Sequence, residues 1–272
     1  MRPSLIGRSP SMPDVAAKSA VLPKLEVCQV SKSYRVQGKL LQVLDEINLE
    51  IFPREFVCLV GASGCGKSTL LNIVAGLVPP SSGEVRVDGQ VVPGPGADRG
   101  MVFQSYTLYP WLTVAQNVAF GLQLQKIPKA QQQERVAYYL HTVGLTQFAG
   151  AYPKQLSGGM KQRVAIARAL ATEPEVLLMD EPFGALDAQT KEQMQQFLQT
   201  LWQQTHITVL MITHDVEEAI YLSQRVYVMS SRPGRLKQEV PIDLPEQRDL
   251  DLKLSPEFLS LKREILHELR EL

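Results

Sequence analysis

The stretch that most constrains the fold is Phe56–Val60, F-V-C-L-V, which runs without a break into Gly61–Thr69, G-A-S-G-C-G-K-S-T. A continuous apolar run has no solvent face, so it reads as a strand buried on both sides, the situation of a parallel sheet. Lys67 to Gly76 follows as a helix, apolar on one face, with Gly76 near its end. Between them the spacing G-x-x-x-x-G-K-S holds at every fixed position: Gly61, Gly66, Lys67 and Ser68. Such glycines let backbone N–H groups turn toward one anion, and the N-terminus of the following helix adds positive potential. The segment therefore reads as a phosphate-binding loop. Lys67 is expected to reach β and γ phosphates, and Ser68 to offer its hydroxyl oxygen to Mg²⁺. A Gly- and Ser-rich turn with an accidental lysine would need neither the strand before it nor the helix after it.

The rest of the chain alternates in the same way. Leu25 to Val30 and Ile47 to Phe52 read as short antiparallel strands around a turn containing Gln37-Gly38, and Val85 to Val87 pairs with Gln90 to Val92 around Asp88-Gly89. Met101–Phe103, Val176–Met179, Thr208–Ile212 and Tyr227–Met229 are short buried strands, and Thr190 to Gln204 is a long helix. This predicts an α/β fold with a mainly parallel sheet and an N-terminal antiparallel β-subdomain. From about 111 to 170 the pattern is helical alone, with Gln131–Thr142 and Lys161–Ala171 the clearest helices, and reads as an inserted α-helical subdomain. Residues 1–23, rich in Ser, Pro and small residues, read as a disordered tail, residues 24–241 as the main domain, and 242–272 as an extension ending in one amphipathic helix from Ser255.

Composition excludes several classes. The 28 Lys and Arg balance 28 Asp and Glu, so nothing in the charge argues for nucleic acid or a membrane surface. The longest apolar runs fall far short of the ~20 residues of a membrane span. The 3 cysteines, Cys28, Cys58 and Cys65, show no metal-ligand or C-x-x-C spacing and suit a reducing compartment.

Val176-Leu177-Leu178-Met179-Asp180-Glu181 is an apolar strand ending in two acids. A buried strand should not end in paired carboxylates without a cation or a task. Asp180 suits a hold on Mg²⁺, direct or through its shell, and Glu181 suits a general base for attacking water. Taken alone, such a pair equally fits a strand surfacing into solvent; the phosphate loop upstream favours the site. His214 follows the strand Thr208–Ile212, where ligands collect in open α/β sheets, and suits a contact to a γ-phosphate and the water. Gln104 follows Met101–Phe103 and has weight only within the set. Leu156-Ser157-Gly158-Gly159-Met160 precedes a helix, a second anion-binding N-terminus on a chain with one phosphate loop, which suggests service to a partner's nucleotide.

In this order the motifs resemble the ATP-binding subunit of ABC transporters, from about Leu25 to Met229. The resemblance makes Gly61, Ala62, Ser63, Gly64, Cys65, Gly66, Lys67, Ser68 and Thr69 the Walker A segment that binds ATP. Gln104 becomes the Q-loop residue, near both catalysis and the metal. Ser157, Gly158 and Gly159 become the signature for the partner subunit's ATP. Val176–Asp180 is then Walker B, with Glu181 the catalytic carboxylate, Ala185-Leu186-Asp187 the D-loop, His214 the switch histidine and Tyr34 the aromatic that stacks on adenine. Position 160 departs from the family's usual Gln, which puts a peripheral contact in doubt. The implied fold is the ABC ATPase fold. The implied assembly is a head-to-tail dimer with a second ATP-binding subunit, identical or related, on transmembrane permease subunits at the cytoplasmic face of the inner membrane, served indirectly by a solute-binding protein.

Glu181-Pro182-Phe183-Gly184-Ala185-Leu186-Asp187 looks like the importer version. Leu108–Val114 and Ser231-Arg232-Pro233-Gly234-Arg235 are similar to the nitrate, sulfonate, taurine and bicarbonate importer group. Tyr109-Pro110-Trp111 reads either as an exposed tip suited to a membrane subunit's helix or as a segment with Trp111 packed inside the helical subdomain. The alternative function is a soluble ABC-type ATPase not coupled to transport. Repair and chromosome ATPases of this type carry long coiled coils between Lys67 and Ser157, and this chain shows no sustained heptads there. A small-molecule kinase has no use for L-S-G-G-M or His214.

Overall fold

The computed structural model describes residues 21–270, so most of the expected N-terminal tail lies outside the described residues. The chain forms strands β1 (Leu25–Val36) and β2 (Lys39–Ile51), then β3 (Phe56–Gly61), helix α1 (Lys67–Val74), β4 (Ser82–Val87), β5 (Gln90–Val91) and β6 (Arg99–Val102). Helices α2 (Val114–Leu124), α3 (Lys129–Thr142) and α4 (Gly158–Leu170) come next. Then β7 (Val176–Asp180), α5 (Ala188–Thr205), β8 (Thr208–Thr213), α6 (Val216–Leu222), β9 (Arg225–Met229), β10 (Leu236–Pro241) and α7 (Pro256–Arg270) complete the order.

One sheet has the order β10-β9-β3-β8-β7-β6 and is parallel except for β10. The other is antiparallel, β2-β1-β4-β5. β1 and β2 extend further than their apolar runs. At the turn, Gln37 (φ 49°) and Gly38 (φ 79°) both lie in the left-handed region, the two-residue geometry that keeps strands paired up to the turn. Asp88 (φ 49°) and Gly89 (φ 72°) repeat the device between β4 and β5.

Every residue of β3 is buried, and its side chains go alternately to two cores. Phe56, Cys58 and Val60 face a core shared with α4, α5, α6 and α7, whereas Val57 and Leu59 face the core between α1 and the antiparallel sheet. β7 and β8 divide likewise, Leu177 with Val209 on the first side and Leu178 with Leu210 on the second. A third core joins α2, α3 and α4. α4 is the common wall: Val164 and Ala167 face the helical core, Ala165 and Ile166 the sheet. At about 1.5–3 kcal/mol for each large apolar side chain fully buried, these faces set where the loops must emerge.

The segment after β10 packs against the sheet's first core through Phe258 and Ile265, both 0% exposed. Arg248 fixes it. Its Nη1 donates to the carbonyls of Ile220 (2.8 Å), Tyr221 (2.9 Å) and Ser223 (2.9 Å), taking up the free acceptors at the end of α6. Among the described residues no helix is long and apolar enough to cross a membrane, and all three cysteines are free thiols.

Candidate functional site

β3 delivers the loop Gly61–Gly66 to the C-terminal edge of the sheet, between β8 and β9. Gly66 caps α1 with φ 110° and no side-chain cap, which leaves the first N–H groups of the helix open to an anion. A Cβ there would come within 2.7 Å of Leu44, so the position needs glycine on two counts. The same contact brings β2, and with it the antiparallel sheet that carries Tyr34, against the loop. Tyr34 is partly exposed, with the Lys32 ammonium 5.0 Å from its ring centroid. Lys67 is buried and donates to the carbonyls of Gly61 (2.8 Å) and Ala62 (3.0 Å), so its charge lies over the mouth of the loop.

The two acids at the end of β7 separate. The Ser68 hydroxyl donates to Asp180 Oδ1 at 3.2 Å. Burial pushes the Asp180 carboxyl above its ordinary range, against the pull of that hydrogen bond. Glu181 turns away with φ 42°, its N–H on the Ile212 carbonyl (2.9 Å) and its own carbonyl taking the Gly184 N–H (3.1 Å). Its Oε2 accepts from Gln104 Nε2 at 3.3 Å and lies 3.0 Å from His214 Nδ1. Gln104 therefore meets Glu181 rather than Ser68 and Asp180. Lys67 and Ser68 at the start of α1, Asp180 at the end of β7, and Gln104, Glu181 and His214 just after β6, β7 and β8 thus gather at one edge of the sheet.

Ser157, Gly158 and Gly159 stand apart from this group. The expected helix starts at Lys161, but α4 begins at Gly158 because the Ser157 hydroxyl accepts the Met160 N–H at 3.3 Å. Both glycines thus lie in the first turn, Gly158 against Tyr106 and Leu186, Gly159 against Thr190 and Met194. No hydrogen bond among the described residues joins them to the phosphate loop. Met160 is half-buried and lines a cavity of about 280 Å³ with Phe148 and Met194, so the unusual residue is accommodated by apolar neighbours.

Several positioning groups carried no sequence signal. Lys191 donates to Asp215 (2.7 Å) and Glu218 (2.6 Å), while the Thr213 hydroxyl donates to Glu218 (2.7 Å) and accepts the Asp215 N–H (3.0 Å). This network brackets His214. Burial works against the Asp215 charge, but Lys191 and the N–H groups of α6 hold its carboxyl below the ordinary range. Burial pushes the Glu218 carboxyl up. Arg232 Nε donates to the Gly64 carbonyl at 3.2 Å, tying the segment after β9 to the phosphate loop.

Residues 44–184 match the family model described as ABC transporter. The nitrate import ATP-binding protein NrtD of Synechocystis sp. is 54% identical over 252 residues, covering 90% of this chain and 95% of that protein. The chain belongs to the ABC transporter family. The taurine import ATP-binding protein TauB of Rhizobium johnstonii is 49% identical over 243 residues, covering 86% of this chain and 93% of that one. A dimeric structure of a post-hydrolysis state of the ATP-binding cassette MJ0796, bound to ADP and Pi, matches with a TM-score of 0.70 at 34% identity, covering 81% of this chain and 100% of that one. The fold is therefore the ABC ATPase fold, and the chain is an ATP-binding, ATP-hydrolysing ABC subunit.

Proposed function

We propose that this subunit powers an importer for a small anion such as nitrate, bicarbonate, a sulfonate or taurine. The observation that carries the ATPase part is the Glu181 carboxylate between Gln104 and His214, beside the phosphate loop. The import part is supported by the similarity to nitrate and taurine import ATP-binding proteins. In this reading Glu181 takes the proton of the attacking water, His214 and Gln104 orient it, and Lys67 offsets phosphate charge. Gly61–Thr69 hold the phosphates and Tyr34 stacks on the adenine. Ser157, Gly158 and Gly159 complete the site of a second ATP-binding subunit, with two sites per dimer.

The residues fit a magnesium ion. Ser68 and Asp180 present hydroxyl and carboxylate oxygens 3.2 Å apart, a hard donor pair, and a cation there would offset the charge of the half-buried Asp180. Ser68 and Asp180 would hold the ion, and Gln104, here on Glu181, would have to turn from it to join them. Bound there, the ion would neutralise charge on the β and γ phosphates.

Trp111 is 70% exposed, so it is not packed inside the helical subdomain. Its ring lies 5.7 Å from Tyr109, whose ring in turn lies 4.5 Å from Phe120, so a supported aromatic tip projects from the protein. We assign it to a permease subunit's cytoplasmic helix at the inner membrane. Affinity purification of the chain from its native membranes, with mass spectrometry, tests the reading. Recovery of a multispan subunit and a solute-binding protein is the expected result; ribosomes or soluble partners alone would overturn it.

A further inference from the structure

A cavity of about 420 Å³ opens at the end of the sheet opposite the phosphate loop. Arg54, Tyr139, His206 and Ile207 are among the residues that line it. Its polar groups are unevenly employed. Lys24 is paired with Asp88 and Glu175, and Glu173 with Arg135. Glu55, next to Arg54 in the chain, is taken by the Arg225 guanidinium. The guanidinium of Arg54 has no hydrogen-bond or ion-pair partner among the described residues. Nor do the Tyr139 hydroxyl and the His206 ring nitrogens have hydrogen-bond partners there. The Arg54 side chain is exposed, and it is the backbone beneath it that is held in place. Its backbone N–H donates to the Thr208 hydroxyl at 3.0 Å, and its φ of 65° is a left-handed conformation that few non-glycine residues adopt. Burial pushes the Tyr139 hydroxyl up to about 12, so it remains a donor at neutral pH.

We propose that this cavity is a regulatory site for a small organic monocarboxylate. Arg54 presents a planar fork matched to a carboxylate, with Tyr139 and His206 as further donors. Pro53, Leu170, Pro174 and Ile207 supply apolar wall for a hydrocarbon body. With Glu173 and Glu175 already paired to Arg135 and Lys24, Arg54 is left, among the described residues, as the cation open to a ligand of single negative charge. The volume lies in the range of small-molecule sites.

Regulation follows from which elements end here. The segment carrying Arg54 leads into β3, whose far end is Gly61. Glu175 leads into β7, whose far end is Asp180, and Thr208 begins β8, which leads to His214. Leu170 ends α4, whose other end is capped by Ser157. The 13 residues of α4 span about 20 Å, so one ligand would touch the tails of four rigid elements whose heads form the nucleotide site and the signature.

The test uses the purified full chain with benzoate, hexanoate and 3-phenylpropanoate, each beside its neutral amide, titrated calorimetrically with and without ATP. At least one carboxylate is expected to bind saturably where its amide does not. Bound carboxylate should shift ATP affinity by roughly fivefold or more, and ATP should shift carboxylate affinity by the same factor. Arg54→Ala should weaken the carboxylate about tenfold or more, with Arg54→Lys between it and the native chain, and neither should change ATP hydrolysis without carboxylate. Failure of all three to bind, binding indifferent to Arg54→Ala, or binding that leaves ATP affinity unchanged would each overturn the proposal.

Discussion

Glu181 occupies a backbone conformation that costs an L-residue about 1–2 kcal/mol, held by one hydrogen bond to β8 and another to Gly184. That turn separates its carboxylate from Asp180, so adjacent residues serve different atoms. Glu181→Gln keeps the shape and removes the base, so ATP should still bind while turnover falls roughly 10²–10⁴-fold, measured by nucleotide titration and phosphate release. Undiminished hydrolysis would take Glu181 out of this role. Asp215 acts one step removed, by fixing the turn that carries His214. Its folded pKa lies below the ordinary value, so its contribution to stability is present above about pH 4 and lost as pH falls through the folded value. Asp215→Asn should therefore cost about 1–3 kcal/mol at pH 7, with the gap from the native chain narrowing below about pH 4 in urea unfolding. The sequence gives the residue types at Asp180, Glu181 and His214 through their strand ends. It is silent on Lys191 and Glu218, because a contact made across two elements leaves no spacing to read.

The aromatic tip depends on one side chain in α2. Asn117 is fully buried and accepts the Tyr109 N–H (2.8 Å) while its amide donates to the carbonyls of Tyr109 (3.2 Å), Leu112 (3.1 Å) and Thr113 (3.0 Å). It closes an irregular loop that has no ladder of its own. Trp111→Ala should weaken co-purification with the membrane subunit more than it lowers ATP affinity, and Asn117→Ala should do the same by loosening the loop. Equal recovery of the complex from both variants would reject the docking role. Elements with strong periodicity, such as α5 and β8, were legible within a few residues. β10 and α6 were not, since β10 alternates weakly at a sheet edge and α6 is short, and its last carbonyls depend on Arg248 from the distant extension.

At the scale of the molecule, the signature lies at the head of α4 and the phosphate loop at the head of α1, with no hydrogen bond between them among the described residues. In the proposed reading the site is completed by a second copy or a related chain, as the dimeric form of the similar cassette suggests. Hydrolysis per chain should consequently fall on dilution and recover with added subunit, whereas a rate strictly proportional to concentration would argue for a self-contained site. The parallel sheet, the antiparallel sheet and the helical insertion were each visible as a change in hydrophobic period. How they share walls was not, because a stretch such as F-V-C-L-V states that both faces are covered without naming what covers them. In the folded chain those faces belong to different cores, one built with α4 to α7 and one with the antiparallel sheet. Such a strand offers mutation no silent position: a polar replacement anywhere along it strands an unmet hydrogen-bonding group, and a smaller one opens a void on one side or the other. Sequence drift at this centre is confined to exchanges that conserve volume, while the hairpin and helix surfaces around it are free to diverge.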